Sequence, residues 1–234
     1  MGASKLGIDQ ELPTTKISSL MYIVSCGDSF TAGQGLEKKS QAYPYLLSKN
    51  ITNLAQSGAS EYLITTQIEQ AVKLKPDLII VGHTSEYRWH VWDYRREMLQ
   101  GFLVANYVLR NEKYYKNWIF SEQLLATRRK TEKHQTAWHA AGMLYFSDED
   151  TVKHIWAASV AKQIILAQRA KIPLIHHCCF PHLQSELETL TDDYVEYHLD
   201  LEKHTDFAPD RSHAGPKSHK KLADLIKSKL PQNL

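Results

Sequence analysis

No apolar run in the 234 residues approaches the ~18–20 needed to span a bilayer, so the sequence offers no membrane helix. The first twenty residues are polar, carry Pro13 and lack an apolar core, which excludes a secretory signal there. Cysteine is scarce: Cys26, Cys178 and Cys179 are all there is. With no C-x-x-C pair a zinc ribbon is excluded, and adjacent cysteines rarely bridge. The expectation is buried, reduced thiols in a cytoplasmic or otherwise soluble protein. Excess charge of one sign is also missing. Lys and Arg number 28 against 26 Asp and Glu, and a net charge of +2 is too weak to imply a nucleic-acid partner. There are no internal repeats and no low-complexity tracts.

What is present is ordinary for a globular domain, 43% hydrophobic and 23% charged, which excludes wholesale disorder and coiled coil. Residues 1–20 read as a tail or extension, and 21–234 as one domain. Short apolar runs at Leu20–Cys26, Ile51–Ala55, Asp77–Gly82 and Ile172–Cys179 predict buried strands. Helical spacing predicts helices over Ala59–Leu74 and Val152–Ala170, with a last one from Pro216, a residue suited to a first helical turn. Continuous rather than alternating strands, interleaved with helices, indicate a parallel sheet covered on both faces. The predicted class is therefore α/β, a three-layer α/β/α sandwich. In such sheets ligands bind at the carboxyl ends of the strands. Gly27-Asp28-Ser29, Gly58 and Gly82-His83 all fall there. Residues 83–150 break this rhythm. They are basic and aromatic, holding four of the five tryptophans, and are expected to be a mostly helical insertion or cap.

Two features carry chemistry. Ser29 lies just past the first strand, where backbone N–H groups and a helix start favour developing negative charge. A capping serine looks the same in sequence. Asp210 and His213 are three apart before the last helix, a spacing that lets a carboxylate fix an imidazole tautomer. A surface histidine beside a helix start is the alternative. His176, His177, Cys178 and Cys179 suggest a metal on paper, but neighbours on a strand point to opposite faces, so no metal is expected. His134, His139 and the run Arg128-Arg129-Lys130 read as solvated surface.

The stretch Ile23-Val24-Ser25-Cys26-Gly27-Asp28-Ser29-Phe30-Thr31-Ala32-Gly33 resembles the first block of the SGNH/GDSL hydrolase family. Asn53-Leu54-Ala55-Gln56-Ser57-Gly58-Ala59-Ser60 resembles its glycine block, and Asp210-Arg211-Ser212-His213 its last block. The likeness runs from Met21 to about Leu230. It implies a flavodoxin-like parallel sheet and ester hydrolysis without cofactor. It further implies Ser29 as nucleophile, His213 as base and then acid, and Asp210 as its orienting carboxylate. The N–H groups of Ser29 and Gly58 would face the oxyanion. No G-x-S-x-G occurs, which counts against the other large serine-esterase fold.

The third block departs from the pattern. The family has Gly-x-Asn-Asp, whereas this chain has Gly82-His83-Thr84-Ser85. Thr84 stands where the oxyanion-binding Asn belongs, and a missing donor costs about 10²–10³ in rate. Either Thr84, Ser85 or His83 substitutes, or the site is weak or inactive. A Thr-Ser pair followed by Arg88 is similar to variants in tailed-phage proteins of this family, which implies a virus-encoded chain. Asp28, His83, Ser85, Arg88 and Trp89 are the candidate substrate contacts. Trp89 and Trp92, three apart, fit a helix face that packs as a small core, and Arg88 fits an exposed ion pair equally well. The function expected is a serine esterase on a small-molecule or polysaccharide ester, with carbohydrate O-deacetylation favoured. The competing reading is a binding module for a sugar or anionic polymer that has lost its chemistry. Sequence does not separate hydrolase from acyltransferase, nor does it give an oligomeric state.

Overall fold

The computed structural model describes residues 21–86, 88–93, 98–103, 149–199 and 206–230, without the side chains of 89–93, 98–103, 149 and 182. Five parallel strands form the main sheet: β1 (Ile23–Cys26), β2 (Ile51–Asn53), β3 (Leu78–His83), β6 (Leu174–Cys178) and β7 (Tyr194–Val195). Their order is β2-β1-β3-β6-β7. This is the flavodoxin-like order, which reverses direction between β1 and β3 and opens a crevice at their carboxyl ends. The predicted sandwich and parallel sheet are what the chain forms. β7, two residues long, carries too short a pattern to have been read from sequence.

Alternation along the strands sends residues to two cores. Ile23, Leu78, Ile80 and Ile175 pack with Tyr43 and Leu47 of α2 (Tyr43–Leu47) and with Leu222 and Ile226 of α6 (Pro216–Lys229). Val24, Cys26, Ile79, Val81 and Leu174 face Ile64, Ile68 and Ala71 of α3 (Glu61–Leu74), and Ala167 of α4 (Glu149–Ala170). A short α5 (Gln184–Glu188) precedes β7. All six residues of β3 are buried, the mark of the central strand. The three cysteines are free thiols and buried, and no described helix is long and apolar enough to cross a membrane.

Local chemistry sets the helix ends. Ser60 caps α3 by accepting from the Leu63 N–H, and Lys75, in the left-handed region before Pro76, ends it. At α6, Pro216 occupies the first turn while the Asp206 carboxylate accepts from the Ser218 N–H at 2.8 Å.

The insertion differs from expectation. Arg88–Asp93 (β4) and Met98–Leu103 (β5) pair antiparallel as a hairpin, so its described beginning is strand, not helix. The helical spacing of Trp89 and Trp92 therefore does not apply. The stretch is rich in Trp, Val and Tyr, residues that favour a pleated strand, and tertiary pairing decides the outcome. Residues 104–148, with Trp118, Trp138, His134, His139 and the basic run, lie outside the described residues, as does the tail 1–20.

His176 and His177 do point to opposite faces. His176 meets His83 on the α3 side, and His177 meets Tyr43 on the α2 side. Burial pushes His177 down to about 3, His219 to about 4, and His176 well below the ordinary histidine range. All three therefore stay neutral in the folded protein at pH values where the unfolded chain takes up protons. Stability is full above the unfolded value of about 6.5 and falls as pH drops toward these depressed values. Each imidazole should cost up to ~2 kcal/mol between pH 6.5 and 5, at 1.36 kcal/mol per pH unit. Urea unfolding across that range should show it. His219→Gln, whose amide oxygen can still accept the Tyr43 N–H, should make the pH dependence shallower by one proton.

Candidate active site

Three segments at the carboxyl end of the sheet meet around Ser29. The first is the turn after β1. Asp28 caps the short helix α1 (Ser29–Ala32) by accepting from the Phe30 N–H at 3.0 Å. Ser29 opens that helix and is 4% exposed. With only four residues, α1 supplies little macrodipole, so the field expected from sequence is smaller than a full helix would give. Position rather than dipole holds Ser29. The Gln67 side chain of α3 grips Gly27 from both sides, accepting from its N–H at 2.7 Å and donating to its carbonyl at 3.2 Å. Sequence reasoning missed Gln67; a buried amide on the apolar face of α3 is the signal that would have found it.

The second segment is the loop after β2. Asn53 donates to the Thr31 carbonyl at 3.0 Å, and the Gln56 N–H donates to the Gly27 carbonyl at 3.1 Å, tying this loop to the first. Gly58 follows, exposed, with φ of +76° and open space where a side chain would begin. Among the described residues no acceptor takes the N–H of Ser29 or of Gly58.

The third segment is the loop before α6. A bridge between Phe207 and Ala214 closes it, with the Ala208 N–H on the His213 carbonyl at 2.9 Å. Within it, Asp210 Oδ1 accepts from the N–H groups of Ser212 and His213 at 3.0 and 3.2 Å. Oδ2 lies 2.7 Å from His213 Nδ1. Slight burial raises the Asp210 carboxyl, but the Ser212 N–H and the His213 ring outweigh it and hold the group below its ordinary value. The ionised carboxylate fixes the proton on Nδ1, which leaves Nε2 as the basic nitrogen. The ring lies edge-on to Phe30, the residue after Ser29, with centroids 5.3 Å apart. The Asp210–His213 pair is thus set against the residue that follows Ser29 in the chain.

The third-block positions are turned inward. Thr84 is fully buried and its hydroxyl donates to Asp28 Oδ2 at 2.9 Å. Its N–H donates to Glu61 Oε2 at 3.3 Å, and its carbonyl accepts from the Trp156 indole at 3.1 Å. His83 is equally buried, with Nδ1 2.8 Å from Glu61 Oε1 and Nε2 2.8 Å from His176 Nδ1. Ser85 donates to Glu86 Oε2 at 3.2 Å. Each of the three expected stand-ins for the missing Asn therefore has its side chain engaged within the protein.

Asp28 is fully buried, and burial raises its pKa although Arg88, Thr84 and the Phe30 N–H all oppose the rise. Arg88 Nη1 is 2.7 Å from Oδ2, so this residue pairs with a buried rather than a surface partner. Trp89 falls on β4 and its side chain is outside the description. Among the described residues no group of three or more His, Cys, Asp or Glu is placed to hold a metal ion.

No protein-family model matches the chain, and no curated protein sequence matches it. Solved structures do. The crystal structure of TesA superposes with a TM-score of 0.50 at 12% identity, covering 91% of this chain and 99% of that one. A GDSL-like lipase from Bacteroides thetaiotaomicron gives 0.50 at 14% identity, covering 89% and 86%. At such identities the likeness establishes the fold, that of the SGNH/GDSL hydrolases, over nearly the whole chain.

Gly35 couples backbone to site. Its φ is +82°, and a Cβ there would collide with the Asp210 carboxylate. Both Gly35→Ala and Gly58→Ala should lose about 1–2 kcal/mol to left-handed strain in denaturant unfolding. Only Gly35→Ala should also disturb the Asp210–His213 bond, seen as faster exchange of the low-field His213 Nδ1 proton by NMR.

Proposed function

We propose that the chain is a serine-dependent ester hydrolase working through an acyl-enzyme on Ser29. The observation that carries this is the 2.7 Å Asp210–His213 pair set against Phe30, beside Ser29. His213 Nε2 takes the Ser29 hydroxyl proton as Oγ attacks the ester carbonyl carbon. The carbonyl electron pair moves to oxygen, and the N–H groups of Ser29 and Gly58 receive that charge. Collapse breaks the bond to the alcohol, which leaves with the proton from His213. Water, deprotonated by the same nitrogen, then releases the acid and restores Ser29. A different alcohol attacking the acyl-enzyme gives acyl transfer by the same steps. No cofactor is needed for any of them.

Two features support this reading. Among the described residues the Asp210 carboxylate accepts hydrogen bonds only from its own loop and from His213. The fold is one that hydrolases such as the GDSL-like lipase share. Within the class we favour a carbohydrate O-acetyl ester. Its support is the aromatic sequence from Tyr87 to Tyr94 following β3, with side chains suited to sugar rings.

The test is hydrolysis of 4-nitrophenyl acetate together with labelling by a fluorophosphonate. Wild type should do both, and Ser29→Ala neither. Asp210→Asn should retain the fold and lose about 10²–10⁴ in kcat, because the wrong tautomer is then stabilised. Wild-type turnover that survives in Ser29→Ala would defeat the proposal. Neither reaction in wild type would leave a binding module as the reading.

A further inference from the structure

We infer that Arg88 donates to the oxyanion, as a charged replacement for the side-chain amide that position 84 lacks. The inference rests on the serine-hydrolase reading above and adds to it a group which that reading does not contain.

The need arises from the chemistry at position 84. A threonine hydroxyl has one proton, and here it goes to Asp28. His83 and Ser85 are likewise engaged. A described side chain with donors to spare that touches the residue before Ser29 is Arg88. A guanidinium carries five N–H groups. Among the described residues one hydrogen bond uses them, from Nη1 to Asp28. The side chain is 17% exposed, at the edge of the crevice, whereas its carboxylate partner is completely covered.

Placement follows from contacts on both sides of the nucleophile. Arg88 holds Asp28, the residue before Ser29. It also lies over the Phe180 ring, 5.8 Å from its centroid. Phe180 meets Phe30, the residue after Ser29, edge-on with centroids 5.9 Å apart, and Phe30 in turn meets His213. Base and guanidinium therefore each rest on one ring of the same aromatic pair, and Ser29 lies in sequence between Asp28, which Arg88 holds, and Phe30, which His213 meets.

Rigidity strengthens the case. A donor stabilises a developing charge best when it is already oriented and no reorganisation is needed at the moment of reaction. The buried carboxylate and the ring face restrain Arg88 in this way. When Oγ bonds to the carbonyl carbon, the electron pair displaced onto oxygen gains a third donor bearing a full positive charge. The proton inventory is unchanged: His213 alone receives and returns a proton, and Arg88 stays protonated throughout.

The experiment compares wild type, Arg88→Ala and Arg88→Lys on the neutral ester 4-nitrophenyl acetate, with fluorophosphonate labelling of Ser29 in parallel. Arg88→Ala should lower kcat about 10²–10³-fold while KM moves less than about threefold, and labelling should slow with it. Millimolar guanidinium chloride should restore part of the rate, where sodium chloride at equal ionic strength should not. Should Arg88→Ala fail to fold, Arg88→Lys still pairs with Asp28 but has no second arm for the substrate. It should unfold near the wild-type temperature and still lose at least about tenfold in kcat. Unchanged kcat in the folded variant overturns the inference and leaves a structural ion pair. A loss confined to KM, or to esters with an anionic acyl group, overturns it in favour of substrate recognition. Wild type that neither turns over nor labels defeats the serine-hydrolase reading itself. Wild type that reacts, beside an Arg88 variant that reacts equally fast, defeats only the role of Arg88.

Discussion

A single carboxylate buried at the end of β1 organises this molecule. Asp28 has no access to solvent, and a charge in that position is tolerated only with its oxygens occupied. Oδ1 takes the Phe30 N–H, with the Cys179 thiol donating more weakly at 3.9 Å. Oδ2 takes Thr84 and Arg88. These partners come from four places: the start of α1, the end of β3, the start of β4, and the turn after β6. Satisfying one acid thus binds the strand ends on both sides of the crevice, and the serine beside it takes its position from that knot.

A second polar assembly supports the first from below. Glu61, at the start of α3, accepts from His83, from the Thr84 N–H and from Gln163 of α4 at 2.7 Å. Through Thr84 it is one residue-length from Asp28. Two buried acids, on α3 and at the end of β1, therefore pull the same threonine from its two ends. Thr84 acts as a tie between them, a duty that competes with the donor role its place in the sequence would suggest. A side chain with a single proton serves one acceptor at a time.

The sheet was legible because its strands are short continuous apolar runs such as Leu78-Ile79-Ile80-Val81, bounded by turn residues, the pattern of a doubly covered strand. The pairing of Asp210 with His213 was legible because a carboxylate and an imidazole three residues apart in one loop can meet locally. The hairpin Arg88–Leu103 was not, since Trp89 and Trp92 satisfy helical spacing while the composition suits strand, and pairing between β4 and β5 decides such cases. Nor was the partner of Arg88. A basic residue after a strand gives no hint that the acid it meets lies sixty positions earlier and fully buried. Long-range polar pairings leave no periodic trace, and Gln67 with Gly27 was hidden for the same reason.

The loop that carries Asp210 and His213 has a consequence for folding. Its bonds are local, from Asp206 to Gly215, so the pair takes shape within a dozen residues. Ser29 and its surroundings require the sheet, with contacts of high sequence separation that close slowly. α6, which follows that loop, packs against α2, so the loop is joined to the sheet by a contact of long sequence separation. Until that contact forms, the Asp210–His213 pair and the knot around Asp28 are two separately ordered parts of one chain.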